Sequence, residues 1–336
     1  MTGPEVRRTV HRLRVRAAAG DVHRLLAGLD DWPRVFPSFV HLERLGTHGD
    51  AERVGMWALA GEPGPEAAGV EHWVALRRVD DKARRVEFRP EEVAPPLREM
   101  TRTWVVEPAG EGACEVRLEH AFRLREDDPE AAGAVARTAG EIARRELAAV
   151  RDAAELAAAS PGLLLTVEDT VTLGAPAERV YAVLRDAAGW PAVMAHVLRA
   201  DVRESGHGAH LLEMETLERR GGTFTTRTAR VGVPHRRIAY KQLLLPPLGS
   251  SHHVCWDLVP GADGGTAVVS RQTVVLHEPG VAAVLGEGTD LETARGFVRD
   301  ELSSKVRLIL DAARQHLEYK RRQEPADSAG PVERTS

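Results

Sequence analysis

The chain has 336 residues and a mass of 36.6 kDa, which at ~100–200 residues per domain fits two domains. Hydrophobic residues make up 43% and charged residues 28%, a globular balance that excludes a wholly disordered chain. A net charge of −5 and a pI near 6.3 argue against a nucleic-acid or acidic-membrane partner. No apolar run reaches the ~18–20 residues of a membrane span. Met1 to Val15 alternates Arg with Val and Leu and lacks an apolar signal core. Cys114 and Cys255 match no disulfide or metal spacing. These features predict a cytoplasmic protein with free thiols. No P-loop and no complete dinucleotide-binding glycine fingerprint occurs, so those routes to a nucleotide cofactor have no support.

The chain repeats itself. Val22, Leu26, Trp32, Pro33 and Val35 recur as Val180, Leu184, Trp190, Pro191 and Val193. Trp104, Pro108, Val116 and Leu124 recur as Trp256, Pro260, Val268 and Leu276, and Pro95-Pro96-Leu97 as Pro246-Pro247-Leu248. This predicts two copies of one fold, residues 1–160 and 161–320, joined near Ser160-Pro161-Gly162. Each copy opens with a strand (Val6 to Val15; Leu164 to Leu173) and a small helix that Trp-Pro is expected to end. Several strands follow, with hairpin turns at Pro108 to Gly112 and Pro260 to Gly265. A long helix closes each copy. The first starts near Asp128-Pro129, and its apolar stripe is Val135, Ala139, Ile142, Leu147, Val150 and Ala154. The second opens on the capping-box pattern Thr289-Asp290-Leu291-Glu292. Residues 321–336 are polar with Pro and Gly and read as a disordered tail.

This order of elements resembles the START-like helix-grip fold, an α+β architecture in which a curved antiparallel sheet wraps a long C-terminal helix around a cavity. Two copies in one chain resemble the di-domain aromatase/cyclases of bacterial type II polyketide synthases over about residues 5–320. The residues that carry the resemblance are Trp32-Pro33, Trp190-Pro191, Trp73-Val74-Ala75-Leu76-Arg77, Met100 through Trp104 and the two Pro-Pro-Leu segments. Monodomain relatives typically have Ser where this chain has Ala75, so any role of that hydroxyl is absent. The resemblance implies aldol-type first-ring cyclisation, dehydration and aromatisation of a poly-β-ketone held on an acyl carrier protein. Its other partners are synthase components, and it needs no metal and no cofactor. The rival readings are a non-catalytic carrier of a hydrophobic aromatic molecule and a docking scaffold with filled cavities.

That chemistry needs a cationic donor for a developing oxyanion and a base of suitable pKa. Period-two alternation puts Trp73 and Arg77 on one strand face, so a cavity-facing Trp73 brings Arg77 with it as the first oxyanion candidate. His120 is the one polar residue among Val116, Leu118, Phe122 and Leu124, which points it inward as a proton relay near neutral pH. Its counterpart in the second copy is Gln272, which cannot titrate, so the N-terminal cavity is expected to do the acid–base work. Arg102, between Met100 and Trp104 on one face, is a second oxyanion candidate. Trp32, Trp57, Trp73 and Trp104 offer flat apolar surfaces for stacking on a ring. In the second copy, Arg227 is the charged candidate, and His252 and Trp256 are expected to line the cavity.

Overall fold

The computed structural model describes residues 5–217 and 221–323. The N-terminal half runs β1 (Arg7–Val15), α1 (Ala19–Ala27), α2 (Trp32–Val35), β2 (Phe39–His48), β3 (Ala51–Ala60), β4 (Gly69–Asp80), β5 (Arg85–Pro90), β6 (Leu97–Pro108), β7 (Cys114–Leu124) and α3 (Pro129–Ala159). The C-terminal half repeats the series as β8 (Leu164–Leu173), α4 (Ala177–Arg185), α5 (Trp190–Val193), β9 (Val197–Gly206), β10 (Ala209–Leu217), β11 (Thr223–Val233), β12 (Arg237–Gln242), β13 (Gly249–Pro260), β14 (Thr266–Leu276), α6 (Glu278–Leu285) and α7 (Leu291–Gln323). Each half is a seven-stranded antiparallel sheet, in the orders β1-β7-β6-β5-β4-β3-β2 and β8-β14-β13-β12-β11-β10-β9.

The long helix of each half buries an apolar stripe in the concave side of its sheet. Ala143, Leu147, Val150 and Ala154 of α3 join one core cluster with Trp32, Phe36, Phe88 and Trp104. Val306, Leu310, Ala313 and Leu317 of α7 recur with the same spacing in the second core, with Trp190 and Trp256. Asp128 caps α3 by accepting from the N–H groups of Glu130 (2.9 Å) and Ala131 (3.0 Å), with Pro129 in the first turn.

Four details depart from the sequence expectations. Trp32-Pro33 does not end the first helix. That helix stops at Ala27, and Pro33 sits in the first turn of α2, where a missing N–H costs nothing. Asp290, rather than Thr289, caps α7 by accepting from the Thr293 N–H at 2.7 Å. The extra helix α6 precedes α7. Finally, α7 continues through Arg321 to Gln323, so the first three residues of the expected tail are helical, and the rest of that expectation lies outside the described residues.

The convex faces of the two sheets meet. Trp57, Leu59 and Val70 of the N-terminal half share an apolar cluster with Ala209, Leu211, Ala229, Val231 and Leu243 of the C-terminal half. Polar bonds frame it. Buried Glu43 accepts from Arg236 (2.9 Å) and Arg237 (3.0 Å), and Trp57 donates its indole N–H to the His207 carbonyl at 3.0 Å. Both concave faces therefore point away from the junction.

Candidate active site

One row of cross-strand partners crosses the N-terminal sheet: His120 on β7, Arg102 on β6, Phe88 on β5, Arg77 on β4 and Glu52 on β3. Directly opposed residues in an antiparallel sheet point to the same face, and here that face is the concave one. The row places Arg102 beside His120. Arg77 lies three strands from His120, with Phe88 and Arg102 between them.

Arg102 donates to Glu146, a carboxylate 8% exposed on α3. Its guanidinium carbon lies 5.2 Å from the Trp104 ring centroid and 5.7 Å from that of Trp32. Burial pushes the Glu146 carboxyl pKa up, against the opposing pull of Arg102. His120 is 2% exposed, and burial, with the charge of Arg102 and the neighbouring His11, pulls its pKa down to about 3. Burial therefore favours the neutral imidazole, the form in which the sequence reading placed it. Arg102 Nε, Trp104 Nε1 and His120 Nδ1 are all buried without a hydrogen-bond partner among the described residues. Trp256 Nε1 and Gln272 Nε2, at the matching positions of the second domain, are likewise without a partner among the described residues, so what sets the N-terminal place apart is the buried Arg102–Glu146 pair.

Aromatic rings wall the cluster. Trp32 lies 4.7 Å from Phe36, 5.1 Å from Phe39 and 4.9 Å from Phe88 between ring centroids. Trp73, half-buried, faces Phe39 at 6.0 Å. Met100 lies on the Arg102 side of β6 and packs with Leu97, Phe122 and Val135 near the start of α3.

Other candidates sit elsewhere. Arg77 faces inward and is 2% exposed, but its guanidinium donates to Glu52 and to the Ala27 carbonyl at the end of α1. It pins α1 to the sheet. Trp57 is 6% exposed because the C-terminal domain covers it. It lies on the convex face, not on the concave side. Arg227 is likewise a correction: on β11 it shares the convex face with Ala229 and Val231 and lies 3.9 Å from Glu66 of the N-terminal half. The register equivalent of Arg77 is Arg230, which donates to the Leu184 carbonyl at 3.3 Å. His252 is hydrogen-bonded to the side chains of Gln242 (Nδ1, 2.8 Å) and Gln272 (Nε2, 3.1 Å), and burial pulls its pKa down to about 4. Trp256 is buried in the second core.

The second domain lacks the buried Arg–Glu pair. Cross-strand pairing puts Val254 at the place of Arg102 and Gln272 at that of His120, and the matched helix stripes put Ile309 at that of Glu146. Instead it has a cavity of about 610 Å³ between β10, β11, α6 and α7, lined by Met214, Phe224, Phe297, Ile309, His196 and Lys305 among others. Glu146 was missed in the sequence, although its spacing from Ala139, Ala143 and Val150 places it on the apolar stripe.

Two concave sheets gripping long helices, one enclosing an Arg–Glu–His cluster walled by aromatic rings, define a tandem helix-grip protein of the cyclase/dehydrase class. The family described as polyketide cyclase/dehydrase and lipid transport matches residues 5–155 and again 165–318, and the chain belongs to it. It is 32% identical over 304 residues to the granaticin polyketide synthase bifunctional cyclase/dehydratase of Streptomyces violaceoruber, covering 90% of this chain and 91% of that one. It is also 32% identical over 320 residues to the corresponding actinorhodin protein of Streptomyces coelicolor, covering 92% and 96%. Among solved structures, the di-domain ARO/CYC BexL from the BE-7585A biosynthetic pathway aligns with a TM-score of 0.84 at 38% identity, covering 92% of this chain and 98% of that one. The di-domain ARO/CYC StfQ from the steffimycin pathway aligns at 0.81 and 28% identity, covering 93% and 99%.

Proposed function

We propose that this chain is a polyketide aromatase/cyclase that closes or dehydrates and aromatises the first ring of a poly-β-ketone carried on an acyl carrier protein and already ketoreduced. The observation that carries the reading is the buried Arg102–Glu146 pair beside His120 on the concave side of the N-terminal sheet, which the second domain does not repeat. A β-hydroxy ketone loses water when a base takes the proton α to the carbonyl and the hydroxyl leaves with a proton. Glu146, its pKa raised by burial, is suited to take that proton. Arg102 and the Trp104 indole N–H stabilise the enolate oxygen. The proton held on Glu146 then leaves with the hydroxyl as water, the carbon–carbon double bond forms, and the carboxylate is regenerated. Neutral His120 hydrogen-bonds the substrate, and Trp32, Trp73 and Trp104 hold the ring flat. The second-domain cavity supports holding the chain before or after the chemistry.

The test is a product profile by liquid chromatography and mass spectrometry, with a minimal aromatic synthase run with and without this protein and with and without a ketoreductase. A new product one water lighter, formed only with ketoreductase, is the expected result. The same shift without ketoreductase indicates an unreduced chain as substrate. His120→Gln should impair turnover far more than Gln272→His. Equal, small effects would remove His120 from the mechanism.

A further inference from the structure

The four lysines of the chain are Lys82, Lys241, Lys305 and Lys320, and one of them is buried across the domain junction. Lys241 leaves β12 on the convex side of the C-terminal sheet and is 8% exposed. No carboxylate pairs with it among the described residues. Its Nζ instead donates to four backbone carbonyls of the N-terminal domain: Pro33 (2.9 Å), Phe36 (2.9 Å), Pro37 (2.7 Å) and Phe39 (3.1 Å). These belong to the end of α2 and the turn into β2.

The sequence explains why the carbonyls need an outside donor. The Pro33 carbonyl lies where residue 37 would close a helical bond, and Pro37 has no N–H. The last carbonyls of a helix favour a cation. Burial pulls the Lys241 pKa down to about 7. The cage opposes that pull, because an ammonium offers three donors to the four acceptors and a neutral amine offers two. The arrangement has no mirror image. Cross-strand register makes Arg89 the N-terminal equivalent of Lys241, and Arg89 is exposed beside a surface groove. In the C-terminal Trp-Pro segment, Ala195 stands where Pro37 stands in the first.

The clamped segment carries the wall of the candidate active site. Trp32, at the start of α2, is tied at its indole N–H to the Leu26 carbonyl at 3.0 Å, and it contacts Phe36 and Phe39. Phe36 lies 5.8 Å from Trp104 and Phe39 lies 6.0 Å from Trp73. We infer that Lys241 is a positioning residue, through which the C-terminal domain sets the Trp32–Phe39 wall against which the N-terminal domain orients its substrate. This rests on the reading that the N-terminal cluster performs the chemistry. It gives the second domain a role in the first domain's reaction.

The experiment uses the full chain with Lys241→Met, which keeps the length and apolar stem, and Lys241→Gln, which keeps two donors. Peptide-resolved hydrogen–deuterium exchange and turnover are measured well below the melting temperature. In Lys241→Met, amides of residues 36–42 should exchange at least tenfold faster (an order-of-magnitude expectation for a loosened segment). Turnover should fall about tenfold, since misplacing a substrate wall by about 1 Å costs that much or more. Lys241→Gln should be intermediate in both, and it carries the comparison alone if Lys241→Met does not fold. Unchanged exchange in a folded variant overturns the clamp. Faster exchange with full turnover overturns the positioning role and leaves Lys241 as domain glue. Glu146→Gln, run alongside, separates the two readings. If it retains full turnover, the N-terminal mechanism fails, while the exchange data still decide whether Lys241 holds the segment.

Discussion

Replacing Arg102 by Met should destabilise the N-terminal domain in a strongly pH-dependent way. Arg102 and Glu146 have side chains 16% and 11% exposed and are bonded to each other. Removing one member of a buried ion pair costs about 3–5 kcal/mol. The orphaned carboxylate has an escape, however, which is to take up a proton. For an ordinary Glu pKa of about 4.3, protonation costs about 5 kcal/mol at pH 8 and about 1.6 kcal/mol at pH 5.5. That cost caps the electrostatic penalty at each pH. A carboxyl whose folded pKa is raised keeps its stability contribution at acid pH and loses it as pH climbs through the folded value. The wild-type group already leans this way, since burial raises its pKa. At about 2–4 °C per kcal/mol for a domain of this size, the N-terminal transition should fall by about 6–20 °C at pH 8. At pH 5.5 the electrostatic part of the fall should be about 3–6 °C. Scanning calorimetry of the full chain at the two pH values measures this, and Glu146→Gln in the Arg102→Met background should abolish the pH dependence. Equal losses at pH 5.5 and pH 8 would refute the reasoning, because Glu146 would then carry no charge for Arg102 to neutralise.

Two further outcomes follow from placement. Arg77→Ala should cost about 2–4 kcal/mol of N-terminal stability, from two charge-assisted bonds discounted for the partly exposed Glu52. Its turnover per folded molecule should fall less than that of Arg102→Met, and a folded, fully stable, inactive Arg77→Ala would return Arg77 to the chemistry. Trp57→Ala should destabilise the domain junction by about 3–5 kcal/mol and lower the transitions of both domains, with turnover at low temperature nearly unchanged. Unshifted transitions would show that the convex-face contact contributes little.

The repeat made the fold legible. Matched Trp-Pro pairs and hairpin prolines place the strands, and alternation along β7 points His120 inward as its burial pattern shows. The misplaced Trp57 and Arg227 share one cause: a sheet buried on both faces hides which face is which. All of Val54 to Leu59 on β3 is buried, so the sequence shows no contrast between Met56, in the concave-side core, and Trp57, under the other domain. The Arg227 assignment fails for the same reason. A shift of three residues along β11 reverses the face, and only cross-strand register identifies Arg230. Glu146 escaped notice because a charged residue inside an apolar stripe reads as a solvated edge until its partner on another element is seen. The Lys241 cage joins residues some 200 positions apart through backbone atoms, which leave no trace in side-chain pattern.

The back-to-back meeting of the sheets also governs traffic. A molecule leaving the N-terminal concave side has no interior route to the cavity beside α7, because two sheets stacked at about 10 Å form a continuous partition. Any substrate that visits both domains must travel round the outside of the protein. The two concave sides therefore work as separate compartments, each reached from its own side of the protein.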